Sequence, residues 1–178
     1  MVGSYGADIT AIKTGSTIAG TSNADQITLG AGVDTVVFAA AASNGSDAIT
    51  GFTAGAGKDI LKVTALATLT DTSGSTVQIA SAATTSATAV GTAKAFIVTD
   101  AANAAWSNVT TIFGNAMDES GTGAEKSAFL ISNGTDTRVY LYQNDGSNNT
   151  VQAGELTLVG TVSGVLASAL DVTNVVVV

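Results

Sequence analysis

The chain has 178 residues and a net charge of −8, from six basic and fourteen acidic side chains, a field that repels nucleic acid. Hydrophobic residues make up 46% and aromatics only 5%, so the apolar mass is Ala, Val, Ile and Leu, the residues of thin stacked layers. Cysteine, histidine and proline are absent, which excludes disulfides, thiolate or imidazole metal ligands, and Cys or His catalysis.

Residues 1–20 carry no basic start followed by an apolar stretch, and the most apolar run, residues 175–178, falls far short of the roughly 20 residues needed to span a bilayer. Neither a cleaved signal peptide nor a membrane span is expected. The informative segment is 20–66. Gly20-Thr21-Ser22-Asn23-Ala24-Asp25-Gln26-Ile27-Thr28 is followed directly by Leu29-Gly30-Ala31-Gly32-Val33-Asp34-Thr35-Val36-Val37, two nonapeptides that set Asn23 over Gly32, Asp25 over Asp34 and Ile27 over Val36. Each divides into a six-residue turn and a three-residue strand, with small residues bending the backbone, Asp closing the turn and an aliphatic side chain pointing inward. In such a turn the Asp carboxylate and neighbouring carbonyl oxygens converge, and a calcium ion held between successive turns cancels their repulsion. The expected ligands are Asp25, Asp34, Asp47 and Asp59, with the turn positions Asn23, Gly30 and Gly32, and roughly one to three ions in all. Metal binding is then part of folding.

Downstream, a spacer at 39–44 leads to Asp47-Ala48-Ile49-Thr50-Gly51-Phe52, and then to Asp59-Ile60-Leu61. These two runs, with Asp34-Thr35-Val36-Val37-Phe38 before them, resemble the end of an RTX (repeats-in-toxin) β-roll, the calcium-binding module of extracellular proteases, lipases and surface-layer proteins exported by type I secretion. The resemblance covers about a third of the chain. It implies a short parallel calcium-binding roll and cap over residues 1–66. Only two full nonapeptides are present, and Leu29 and Asn23 stand where the family consensus has glycine.

Residues 67–178 are expected to form a β-rich region with one helix, giving a mainly β protein overall. The Ala-, Thr- and Ser-rich stretch at 67–94 predicts an uncharged layer, with strands at 76–80 and 95–99. From 100 to 117 the period changes, and Trp106, Val109, Phe113 and Met117 fall on one helical face. Alternation returns at 127–132 and 138–142 around Asn133-Gly134, the signature of a hairpin, and a third strand is expected at 155–162. Between the second and third strands, residues 144–155 look like an eroded EF-hand loop, with Asp145 and Glu155 as candidate calcium ligands but Asn144, Gly146 and Asn148 where carboxylates belong. The tail from Leu170 is similar to the uncleaved C-terminal signal of type I secretion substrates, and 129–165 looks like the C-terminal part of secreted surface-layer and extracellular matrix proteins.

A serine hydrolase without a His base, and with no Gly-x-Ser-x-Gly elbow, has little support, and the recurring Asp residues fall inside turn repeats rather than around a cleft. The expectation is a non-enzymatic, calcium-binding structural protein, secreted and assembling with copies of itself into a surface layer or filament. Two other classes remain open: a calcium-dependent adhesin or carbohydrate-binding module that engages cell-surface polysaccharide, and a small secreted carboxylate hydrolase.

Overall fold

The computed structural model describes residues 6–12, 14–64, 75–80, 88–89, 93–99, 117–118, 126–147 and 150–178. The protein is mainly β and builds two sheets of note. Its first six strands are short: β1 (Asp8–Thr10), β2 (Thr17–Ala19), β3 (Gln26–Thr28), β4 (Thr35–Phe38), β5 (Asp47–Thr50) and β6 (Ile60–Val63). Odd-numbered strands lie in one sheet and even-numbered strands in the other, so the chain changes sheet at every turn. Within each sheet the pairing is parallel. Register brings Ile9, Ile27 and Ile49 into line on one side, and Ile18, Val36 and Leu61 on the other. In β2 and β3 only the central aliphatic residue is buried between two exposed neighbours, which is how a three-residue strand contributes to a core.

Each nonapeptide therefore supplies one strand to one sheet, and two nonapeptides complete one coil. The close stacking of coils dictates small residues at the bends. A Cβ on Gly6 would lie 1.6 Å from the Ala24 carbonyl oxygen, and one on Gly45, whose φ is +66°, would lie 2.3 Å from that of Asn23. Larger residues at either point would hold the coils apart.

The remaining strands are β7 (Ser75–Ala80), β8 (Thr88–Ala89), β9 (Ala93–Val98), β10 (Met117–Asp118), β11 (Lys126–Ser132), β12 (Thr137–Gln143), β13 (Leu156–Val162) and β14 (Val175–Val177). Of these, β7, β9 and β11 to β14 extend the two sheets of the coiled part: β13 pairs parallel with β5, and β14 with β6. The large sheet runs β1-β3-β5-β13-β12-β11-β9-β7, and the small one β14-β6-β4-β2, while β8 pairs with β10. Strands β11 and β12 form the expected hairpin, with Gly134 at φ +98°. Asn133 Oδ1 closes the turn by accepting from the Thr135 and Asp136 N–H groups at 3.0 and 2.9 Å.

One apolar cluster runs from Ile27, Phe38 and Leu61 through Val162 and Val139 to Leu130 and Ile97. The other face of the hairpin is also covered, where Phe129 stacks on Tyr142 at 5.0 Å and meets the edge of Phe96 at 5.8 Å. Strands β11 and β12 are buried on both faces, which corrects the alternation expected at 127–132 and 138–142. The strands expected at 76–80, 95–99, 127–132, 138–142 and 155–162 are all present. The helix expected over 100–117 lies outside the described residues except for Met117, which opens a short strand instead.

Candidate metal centre

Asp25, Asp34 and Asp59 stand directly before β3, β4 and β6, and Asp47 opens β5. All four are buried, at 0–1% exposure. A carboxylate tolerates this only where donors replace water, and here the donors are backbone N–H groups of the bends. Each aspartate reaches to the coil before its own. Asp25 Oδ1 accepts from Ala7 N–H at 2.5 Å and Asp34 Oδ1 from Ser16 N–H at 2.7 Å, both 18 residues away. Asp47 Oδ1 accepts from Asp25 N–H at 3.1 Å, and Asp59 Oδ1 from Asp34 N–H at 2.8 Å.

The result is two columns, one along each sheet edge. Asp25 is followed by Asp47 in the first, and Asp34 by Asp59 in the second. The expectation that Asp25 and Asp34 gather around one ion is corrected by this topology, because consecutive nonapeptides enter different sheets.

In Asp25, Asp34 and Asp59 the second oxygen returns to its own turn. Asp34 Oδ2 accepts from Gly30 N–H at 3.2 Å and Asp59 Oδ2 from Thr53 N–H at 2.8 Å. Asp25 Oδ2 accepts from Thr21 N–H, and the Thr21 hydroxyl donates to Asp25 Oδ1 at 3.0 Å. Asp47 differs. The N–H that would complete it, on Ser43, is spent on Ala40 O inside a short 3-10 turn, and Asp47 Oδ2 is buried with no hydrogen-bond partner. It faces Asp25: a Cβ added to Gly20 would sit 2.6 Å from Asp47 Oδ2 and 2.7 Å from Asp25 Oδ2.

The two members of this pair titrate in opposite directions. Burial pushes the Asp47 carboxyl up to about 6; the Asp25 N–H bond works against that rise and the negative charge of Asp25 adds to it. Burial also acts to raise Asp25, but the hydrogen bonds from Ala7 and Thr21 outweigh it and hold this carboxyl below the usual range.

The second column ends in an amide. Asn174, directly before β14, accepts from Gly55 N–H at 2.8 Å and donates to the Gly55 and Asp59 carbonyls at 2.9 and 2.8 Å. Of the other expected ligands, Gly30 serves through its N–H, and Gly32 supplies a left-handed bend at φ +107° against Thr14. The Asn23 N–H donates to Thr21 Oγ1 at 3.2 Å. In the EF-hand-like loop, the Glu155 carboxylate accepts from Asp145 and Gln152 N–H groups at 2.8 and 2.7 Å, so it ties the loop ends together. The Asp145 side chain is exposed and accepts from Ser147 N–H at 2.8 Å.

Among the described residues no three acidic side chains converge. A cation would therefore be held by two carboxylates, with carbonyl and water oxygens completing its shell. Gly20, Thr21, Ala7, Ser16 and Asn174 were not picked out by the sequence pattern, although Thr21 and Gly30 each stand four residues before the aspartate they serve. Comparison of the chain with family models, with curated proteins and with solved structures gave no match.

Proposed function

We propose that this chain is a secreted, calcium-binding structural protein whose first part is a β-roll of the RTX kind, and that it assembles with copies of itself outside the cell into a layer or filament. The observation that carries the reading is the winding of β1 to β6: parallel strands that alternate between two sheets, with a buried aspartate at the head of four of them, stacked coil on coil. Stacked carboxylates in a chain of net charge −8 favour a hard divalent cation, and calcium, which takes oxygen ligands in a flexible geometry, suits them. Self-association is supported by the edges. Among the described residues β1 pairs only with β3, and β2 only with β4, which leaves two strands of one coil with open backbone groups.

A second reading has one observation of its own. A cleft of about 410 Å³ at the end of the hairpin is lined by Lys126, Gln143, Asn144, Asp145 and Thr157 over Leu141, a mixed set of donors and acceptors suited to a sugar. Electron microscopy and sizing of the purified protein, first in calcium and then in chelator, separate the two. The structural reading predicts ordered assemblies in calcium that disperse on chelation. A monomer in both conditions that binds polysaccharide contradicts it.

A further inference from the structure

The two aspartate columns differ in what they leave unsatisfied, and a ligand is called for where an acceptor has been left over. Along the second column every carboxylate oxygen has a backbone donor, from Ser16 and Gly30 on Asp34 to Asp34 and Thr53 on Asp59. Asn174 closes that column with a side chain that carries no charge. A cation placed there would meet no oxygen that lacks a donor.

In the first column, Asp47 Oδ2 is buried and bare, and the carboxylate that shares its side of the bend is Asp25. The residue between them is Gly20, whose missing side chain leaves room beside both second oxygens, Asp25 Oδ2 with its one bond from the Thr21 N–H and Asp47 Oδ2 with none, and which is itself only half-buried. An unpaired buried anion beside a second anion is among the costliest arrangements in a protein. A divalent cation removes both penalties at once, since it pairs with Asp47 and screens Asp47 from Asp25.

We infer that the chain binds a single hard divalent cation, between the carboxylates of Asp25 and Asp47 beside Gly20, and that the Asp34–Asp59 column holds itself together without one. The inference rests on the calcium-binding reading above and narrows it to one column. With only two protein carboxylates in the shell, the affinity falls in the weak range of extracellular modules, about 10⁻⁴ to 10⁻³ M.

Calorimetric titration of the full chain with calcium chloride, with the same titration on variants, tests this. The expected stoichiometry is one ion per chain. Asp47→Asn keeps the shape and removes the charge, and Gly20→Ala sets a methyl group against both oxygens; each is expected to weaken binding at least tenfold. Asp59→Asn is expected to leave affinity within twofold, and circular dichroism establishes that each variant is folded. Two or more ions per chain, or one ion whose affinity falls with Asp59→Asn and not with Asp47→Asn, overturns the single-site inference while leaving calcium binding intact. No uptake of calcium by the wild-type chain overturns both.

Discussion

The two columns of aspartates begin from the same nine-residue unit and end differently. Asp25 and Asp34 have like partners: an N–H from the coil before, at a spacing of 18 residues, and an N–H from four residues back in the same turn. One coil later the insertions diverge. The step to Asp59 is 25 residues and its turn delivers Thr53 N–H to the second oxygen. The step to Asp47 is 22 residues and its turn closes on itself between Ser43 and Ala40, leaving the second oxygen bare. A carboxylate's role here is thus set by the backbone around it rather than by its place in the repeat: in the second column every oxygen has a backbone donor and the aspartates act as capping groups, whereas the one bare oxygen, on Asp47, marks the proposed site.

The sharpest way to break this contrast is to empty the saturated column. Asp34→Ala strands two N–H groups, on Ser16 and Gly30, and is expected to cost about 2–4 kcal/mol in urea unfolding, in calcium and in chelator alike. A loss that appears only in calcium would mean that this column, too, binds the ion.

The next effect is one of pH, measured in chelator. Asp47 has a folded pKa of about 6 against an ordinary value of 3.8, so between these values the folded state holds a proton that the unfolded state has released. The stability linked to this group is present below about 4 and is lost as pH rises towards 6, on the order of 2 kcal/mol. Asp25, with its lowered pKa, works in the opposite sense, losing stability as pH falls through its folded value, below the Asp47 window. Asp47→Asn is expected to flatten the profile between pH 4 and 6, and calcium to flatten it in the wild type. A profile that keeps its slope in Asp47→Asn assigns the titration elsewhere.

The smallest effect is expected in the EF-hand-like loop. There the Asp145 side chain is exposed and its bonds to Ser147 and Glu155 lie at the surface, while its backbone N–H still holds Glu155 at 2.8 Å, so Asp145→Ala should shift the unfolding midpoint little and leave the calcium titration unchanged. A loss of calcium affinity in this variant would restore the loop as a metal site.

How much of this could be read in the sequence depended on whether a residue's chemistry or its neighbours decided its place. Asp25, Asp34, Asp47 and Asp59 were legible because an acid before a short aliphatic run recurs, and the hairpin because Asn133-Gly134 permits the turn it makes. The first coil shows in the sequence only as a half-turn, Gly3-Ser4-Tyr5-Gly6-Ala7-Asp8, with its aliphatic residue out of phase. Ala7 and Ser16 occupy the places of Asp25 and Asp34 one coil earlier, but they contribute only backbone N–H groups, which any residue could supply. The pairing of the acids was misjudged for a related reason: a nine-residue repeat seen along the chain suggests that neighbours in sequence stack, whereas alternation between sheets makes every second unit the neighbour in space. Likewise, β14 is an isolated Val-rich run whose partner, β6, lies more than a hundred residues earlier, and no local pattern records such a pairing.

The most direct measurement is a crystal structure of the protein grown in calcium, with anomalous scattering used to locate the ion. One peak is predicted, about 2.3–2.6 Å from oxygens of both Asp25 and Asp47. Asp34 and Asp59 should keep their backbone donors and show no ion. A peak in the Asp34–Asp59 column, or an Asp47 Oδ2 hydrogen-bonded to protein with no ion nearby, would contradict the account.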